Sequence, residues 1–443
     1  MTIRLLLVRH GLSSFNKDSR IQGRNDLSIL SEEGRQQAIK TGQALAALSI
    51  DAVYSSPLKR AAETTKTILS QFKKDLAPIY TNNLLEVDLE PWSGLTKEEV
   101  KESFPVECLS WQKDPKDLTL QRKDGTFYKP IEELLSQANI FLKSLFQKHS
   151  LEENQTILIV GHNAILRSIL LRLLKNPTKG FRKIQIDNAS ISIINLKTNK
   201  KNSYDLQIQC LNNTTHLTNS LPSSKTKRRL ILVRHGETNW NLEGRFQGQI
   251  DIPLNQNGQE QASAAGIFLK DVPFTKAFTS SMSRPKETAK IILKSHPGIN
   301  LESKENLVEI GHGLWEGKLE SEIKETWADL LKEWQISPET VQMPEGENIQ
   351  DVWQRSIECW EDISKDLSEN DTALVVAHDA VNKTILCYLL GLTPSNIWMI
   401  KQGNGGVSII DVPQDPDQDA IVVSLNITSH LGGIIDKTAT GAL

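Results

Sequence analysis

The chain has 443 residues, 38% apolar and 24% charged, and its 51 Lys+Arg against 54 Asp+Glu give a net charge of −3. That length exceeds one ordinary core and implies about two to three domains. The near-balanced charge excludes an overall basic nucleic-acid or membrane-surface binder, while saying nothing of a local cationic pocket.

The first predicted element is IRLLLV (3–8), a continuous apolar run of the kind expected for a strand buried on both faces. It ends in Arg9-His10-Gly11 and is too short for a secretory signal. SEEGRQQAIKTGQALAAL (31–48) has helical spacing, with Ser31 as N-cap. DAVYSS (51–56) reads as a strand, and PLKRAAETTKTILSQF (57–72) as a helix with Pro57 near its start. TILIVGH (156–162) is another buried strand, followed by the helical NAILRSILLRLL (163–174). Four cysteines without a C-x-x-C pair suit free thiols in a reducing compartment, and no run of about 18 apolar residues spans a bilayer. A cytoplasmic protein with no membrane or nucleic-acid partner is the expectation.

The same order is then written again. RLLLVRHG (4–11) matches RLILVRHG (229–236), and RIQG (20–23) matches RFQG (245–248). YSSPLKRAAET (54–64) faces TSSMSRPKET (279–288), and LLEVDLEPWSG (84–94) faces LVEIGHGLWEG (307–317). ILIVGHNAILRSIL (157–170) faces ALVVAHDAVNKTIL (373–386), and LNNTTHL (211–217) faces LNITSHL (425–431). This is a tandem duplication of a domain-sized unit. The polar TNSLPSSKTKRR (218–229) reads as a linker, so the expected division is domain 1 at 1–217, linker at 218–228 and domain 2 at 229–443. Alternating strand and helix predicts an α/β fold in each, a mainly parallel sheet with helices on both faces.

Ligands of such sheets bind beyond the carboxyl ends of the strands. Arg9, His10, Ser55, Ser56 and His162 fall at those ends in the first copy, and Arg234, His235, Ser280, Ser281 and His378 in the second. The recurring set is Arg9, His10, Asn16, Arg60, Glu86 and His162, repeated as Arg234, His235, Asn241, Arg284, Glu309 and His378. Two guanidinium groups at one pocket suit a dianion and hold a nearby imidazole neutral. A glutamic acid there can protonate a leaving alkoxide and then take a proton from water. The paired arginines disfavour a divalent metal, and no His-x-x-x-His occurs.

LVRHGETNWN, SSMSRPKET, LVEIGHGLWEG and VVAHDAV resemble the histidine phosphatase superfamily, also called the phosphoglycerate mutase-like family. The resemblance covers both halves and implies two tandem phosphoglycerate mutase-like domains. It implies His10 and His235 as phosphorylated nucleophiles, Glu86 and Glu309 as proton donors, and no metal or cofactor. It assigns phosphate binding to Arg9, Asn16, Arg60 and His162, and to Arg234, Asn241, Arg284 and His378. Gln22-Gly23 and Gln247-Gly248 match a loop near the substrate. The implied reaction is hydrolysis of a small-molecule phosphomonoester. The tandem layout resembles two-domain relatives of 2-carboxy-D-arabinitol-1-phosphatase, so the implied substrate class includes sugar-acid phosphates such as 2-carboxyarabinitol 1-phosphate.

Two other functions stay open at this stage. One is a phosphoglycerate mutase, although the Glu-Arg-x-Tyr-Gly signature of the cofactor-dependent mutases is absent from both halves. The other is a pseudo-phosphatase that binds phosphorylated ligands across a pseudo-symmetric domain pair, and a homo-oligomer also stays open. The copies differ: Leu12 stands for Glu237, Glu90 and Ser93 for Gly313 and Glu316, and Gln137 for Arg355. PEGENIQDVWQR (344–355), which resembles the family's Gly-Glu loop, has no Gly-Glu counterpart in the first copy. These losses, with the acid at Glu90, predict that the second copy is the stronger catalyst.

Overall fold

The computed structural model describes residues 1–149, 153–175, 180–198, 204–218, 220–415 and 418–439. Residue 219 of the expected linker and short stretches of both expected domains lie outside the described residues. The chain divides into two compact units, Met1–Ile208 with Asn212–Thr218, and Gln209–Leu211 with Asn219–Leu443.

Unit 1 is built from β1 (Thr2–Arg9), α1 (Glu32–Leu45), β2 (Ala52–Ser55), α2 (Lys59–Leu69), β3 (Ile79–Tyr80), α3 (Pro130–Lys148), β4 (Gln155–Gly161), α4 (Asn163–Leu173), β5 (Ile191–Thr198) and β6 (Tyr204–Asn213). Its strands lie in the order β6-β5-β1-β4-β2-β3. The pairs β1/β4, β2/β4 and β2/β3 are parallel, and β5 runs antiparallel to β1. Leu5, Leu6, Leu7 and Val8 are all buried, so both faces of β1 are covered. The covering helices pack as pairs, α1 with α2 and α3 with α4. Ser31 caps α1 by accepting from the Gly34 amide at 3.0 Å, and Gly34, Ala38, Thr41 and Leu45 make its inner stripe. Helix α2 begins at Lys59 rather than at Pro57, with Leu58 at the N-cap and no side-chain cap. A residue preceding helical φ/ψ by two positions is free to be proline, so Pro57 marks the turn and not the helix.

Unit 2 repeats the plan with β7 (Arg228–Arg234), α5 (Gln256–Phe268), β8 (Lys276–Ser280), α6 (Ser283–Ile292), β9 (Leu301–Lys304), α7 (Ile349–Asp366), β10 (Thr372–Ala377), α8 (Asp379–Leu389), β11 (Val407–Val412) and β12 (Ile421–Ile427). Its strand order is β9-β8-β10-β7-β11-β12, parallel from β9 to β7 and antiparallel beyond. Ile231, Val233, Leu374, Val376 and Ile409 from three strands meet Ala265 of α5, Leu269 at its C-cap and Ile292 of α6 in one buried cluster. Among the described residues no helix is long and apolar enough to cross a membrane.

Candidate active site

Strand register builds the centre of each site. Arg9 of β1 lies opposite Gly161 of β4, and the His10 amide donates to the Gly161 carbonyl at 2.9 Å. The rings of His10 and His162 therefore stand 5.0 Å apart at the carboxyl ends of two adjacent parallel strands. In unit 2 Arg234 lies opposite Ala377, the His235 amide donates to the Ala377 carbonyl at 3.0 Å, and the His235 and His378 rings are 5.2 Å apart. The glycine after each first histidine admits α1 or α5 at close range. A Cβ on Gly11 would lie 2.4 Å from the Gly34 carbonyl oxygen, and one on Gly236 2.2 Å from that of Gly258.

The chemistry of His10 follows from its hydrogen bond. Its Nδ1 lies 2.7 Å from the Gly11 carbonyl, which only accepts, so the ring proton sits on Nδ1 and Nε2 keeps its lone pair. His235 makes the same bond to Gly236 at 2.7 Å, and the Arg284 Nε donates toward its Nε2 at 3.4 Å. Burial, then Arg60 and Arg9, hold the His10 imidazole well below its ordinary pKa; burial, then Arg284 and Arg234, do the same to His235. Both rings are neutral at pH 7, each with an unprotonated Nε2.

The arginines are hydrogen-bonded to main-chain carbonyls, and acids lie farther off, Asp379 at 3.6 Å from Arg234 and Asp251 at 4.0 Å from Arg284. Arg9 donates to Ile186 at 2.8 Å and Arg234 to Gln402 at 2.7 Å. Arg60 donates to Asn25 and Gly23 at 2.8 and 2.9 Å, and Arg284 to Ile250 and Gly248 at 3.1 and 2.8 Å. The Nε groups of Arg9, Arg60 and Arg234 are buried without a partner. A buried unpaired N–H on a cation is costly, so these donors suit an anion as their missing partner. The second histidines are oriented by serines: His162 Nε2 meets Ser56 Oγ at 2.8 Å and His378 Nε2 meets Ser280 Oγ at 2.9 Å, leaving both Nδ1 atoms buried and unpaired.

Each glutamate sits on a helix N-terminus. Glu86 accepts from the Ala164 and Ile165 amides of α4 at 3.1 and 3.2 Å, and Glu309 from the Asp379 and Ala380 amides of α8 at 3.0 and 3.2 Å. Burial, and then the neighbouring Asp379, raise the Glu309 pKa against the opposing pull of Arg284. Asn16 and Asn241 close capping boxes with Ser13 and Thr238. Their Oδ1 atoms also accept from Asn188 at 3.1 Å and Asn404 at 3.2 Å. Gln22 Oε1 accepts from Ser13 Oγ at 3.1 Å, whereas Gln247 Oε1 is buried without a partner. Gly23 and Gly248 lie at φ +50° and +54° and present the carbonyls that hold Arg60 and Arg284.

Not every expected residue arrives. The sequence blocks at 54 and 279 align one residue out of step, since Ser56 matches Ser280 beside its histidine. Ser55 instead joins Thr65 at 2.8 Å, and Ser281 turns to Glu305 at 2.7 Å. Glu90 does not aim at the arginines but accepts from the Lys123 amide at 3.2 Å. The change at Gln137 is also not a simple loss. In unit 2, Arg355 of α7 donates to the Val308 and Glu309 carbonyls at 2.6 and 3.0 Å, pairs with Glu347 at 2.9 Å, and is joined by Gln249. In unit 1, Gln137 of α3 donates to the Leu85 carbonyl at 2.8 Å, while Arg24, in the place of Gln249, donates to the Glu86 carbonyl at 3.1 Å and to Gln137 at 3.0 Å. The guanidinium and the amide have exchanged positions around the same loop.

Sequence reasoning also passed over Thr64 and Thr288, whose hydroxyls accept from the Gly11 and Gly236 amides at 3.1 Å, and Asn188 and Asn404. The last two were findable, because DNASISII (187–194) and GNGGVSII (403–410) share an Asn and an S-I-I ending at equal spacing. Among the described residues no group of three or more His, Cys, Asp or Glu side chains is placed to hold a metal ion.

A family profile described as the histidine phosphatase superfamily (branch 1) matches residues 5–209 and again residues 230–426. The chain belongs to the histidine phosphatase superfamily. This histidine phosphatase carries two copies of the phosphoglycerate mutase-like domain and is an enzyme of the phosphatase type. It is 30% identical over 444 residues to 2-carboxy-D-arabinitol-1-phosphatase of Triticum aestivum, across 97% of this chain and 86% of that protein. It is 27% identical over 443 residues to a probable 2-carboxy-D-arabinitol-1-phosphatase of Arabidopsis thaliana, across 97% and 88%. Over 208 residues it is 32% identical to phosphoserine phosphatase 1 of Hydrogenobacter thermophilus, which covers 47% of this chain and 93% of that protein.

Proposed function

We infer that this histidine phosphatase hydrolyses a small sugar-acid phosphate through a phosphohistidine in each unit, with unit 2 the stronger catalyst. The observation that carries the reading is the neutral, buried imidazole whose Nδ1 proton is tied to a carbonyl in both units, with Nε2 of His235 facing Arg284. Nε2 of His10 or His235 attacks phosphorus in line, forming the P–N bond as the ester P–O bond breaks. Arg9, Arg60 and His162, or Arg234, Arg284 and His378, donate to the equatorial oxygens, where charge collects in the transition state. Asn16 and Asn241 line the same pocket, and the Gln22-Gly23 and Gln247-Gly248 turns border the ester group. Glu86 or Glu309 protonates the departing alkoxide. Water then attacks phosphorus, its proton returns to the carboxylate, and inorganic phosphate leaves with the imidazole restored.

The raised pKa of Glu309 supports unit 2 as the stronger site, because a donor must carry a proton before the ester bond breaks. The substrate class is supported by similarity along 97% of the chain to a protein named as a 2-carboxy-D-arabinitol-1-phosphatase. The test uses the full chain with p-nitrophenyl phosphate in EDTA, followed by acid quench and measurement of acid-labile protein phosphate. His235→Ala should remove most turnover, His10→Ala the smaller share, and the double variant both turnover and label. Turnover that needs added metal, or label that survives the double substitution, would overturn the assignment.

A further inference from the structure

The first turn of the helix behind each active site differs in charge. In unit 2, Asp379 opens α8 and Lys383 follows one turn later. Lys383 Nζ lies 2.7 Å from Asp379 Oδ2, and the other oxygen of Asp379 lies 3.6 Å from Arg234 Nη1. The carboxylate thus bridges the phosphate-pocket arginine to the lysine, and all three side chains are buried. In unit 1 the same two positions of α4 hold Asn163 and Arg167. The bridging carboxylate is gone, yet the cation on the following turn remains.

Among the described residues no acid pairs with Arg167 in place of the missing one. Its Nε is buried without a partner, and its guanidinium lies against the Phe181 ring at 5.7 Å. Beside it Arg182, stacked on Trp111 at 5.4 Å, donates through Nη2 to the Trp111 carbonyl and keeps a buried unpaired Nε. The nearest acids are already engaged, Asp114 beside Arg182 with the Lys116 amide and ammonium, both at 3.2 Å. Glu86 is taken by the amides of α4, and Asp187 by Gln185 at 2.8 Å and Asn212 at 2.9 Å. Arg9 and Arg182 lower the Arg167 pKa to about 10, after burial as the main cause, so it stays charged at neutral pH. The Asn163 Oδ1 is buried without a partner, and a half-turn of that amide offers Nδ2 instead.

We propose that Asn163, Arg167 and Arg182 form a second anion subsite in unit 1, which takes a carboxylate of the substrate beside its phosphate, and that in unit 2 the carboxylate of Asp379 fills the same place. Planar guanidinium groups flanked by aromatic rings match a carboxylate in shape and charge. The two units then differ in the acid they accept and not only in rate. Unit 1 selects phosphomonoesters with a carboxylate near the phosphate, and unit 2 does not gain from one.

The proposal rests on unit 1 being a phosphomonoester site, and the test separates the two. Binding of 3-phosphoglycerate and of glycerol 3-phosphate, which carries a hydroxymethyl group in place of the carboxylate, is measured by calorimetry on the full chain carrying His10→Ala, His235→Ala and Arg284→Met, which removes turnover and weakens the phosphate pocket of unit 2. Turnover of both is followed in parallel on the His235→Ala chain, in which His10 is intact. Arg167→Met should reduce the affinity ratio of the two ligands at least about tenfold, the loss of one charge-assisted bond. Asn163→Asp, which copies unit 2 with almost no change in shape, should reduce it similarly. Far-UV circular dichroism of both variants guards against unfolding. A ratio unmoved in a folded Arg167→Met or Asn163→Asp chain would overturn the subsite while leaving the phosphatase assignment standing. A ratio that falls while the His235→Ala chain shows no turnover would uphold the subsite and overturn catalysis by unit 1.

Discussion

Gly23→Ala and Gly248→Ala are the same substitution at matched turns, and they should differ in cost. Both glycines sit in the left-handed region, at φ +50° and +54°, so alanine pays about 1–2 kcal/mol of backbone strain in either unit. The surroundings then diverge. A Cβ at Gly23 meets the Leu89 amide nitrogen at 3.2 Å and the Val87 carbonyl at 3.3 Å, distances relieved by a shift of a few tenths of an ångström. A Cβ at Gly248 lies 2.0 Å from Glu316 Oε1, which must leave. That oxygen accepts from the Gln249 amide at 2.8 Å and the His312 amide at 3.0 Å. Losing these partly solvated bonds to a carboxylate adds about 1.5–3 kcal/mol. The expected totals are about 1–2 kcal/mol for Gly23→Ala and about 2.5–5 for Gly248→Ala. Hydrogen–deuterium exchange of the two turn peptides in the full chain reads each local opening free energy separately. Equal losses, or a larger loss at Gly23, would refute the role given to Glu316.

Ser56→Ala and Ser280→Ala release the second histidine of each site, so kcat should fall about tenfold with KM within about twofold, measured by steady-state kinetics in chains whose other nucleophile is alanine. Asp379→Asn removes a charge that raises the Glu309 pKa, so the alkaline limb of the kcat–pH profile of unit 2 should move to lower pH; movement to higher pH would contradict Glu309 as the acid. Burial holds His216 and His430 at about 4, so the unfolded chain binds more protons than the folded one between about 6.5 and 4. Stability present above pH 6.5 should fall across that window, and urea midpoints that rise on acidification would argue against these buried neutral rings.

Much of this architecture is written locally, and the rest is not. The run Leu5 to Val8 predicts a doubly covered strand because burial on both faces leaves no polar alternation. Arg9, His10, His162 and their counterparts stand at strand ends, where the topology brings side chains together. Asn188 joins His10 and Asn16 from more than 170 residues away; an asparagine in a loop has no periodicity to announce it, and only its match to Asn404 in the second copy does. Ser55 and Ser56 are adjacent, so only the strand register decides which one reaches His162. Nothing in the sequence singles out Arg24, since its partners Glu86 and Gln137 are brought to it by two separate elements.

The exchange of Arg24 and Gln137 for Gln249 and Arg355 has a consequence for anyone recombining the two halves. Gln137→Arg alone would crowd a second positive head against Arg24, and Arg355→Gln alone would strip unit 2 of the guanidinium clasp on Val308 and Glu309 and take from Glu347 its ion-pair partner. Contacting positions of this kind are coupled and non-additive. Drift from one arrangement to the other therefore crosses a defective intermediate, and a working chimera must transplant both members of the pair at once.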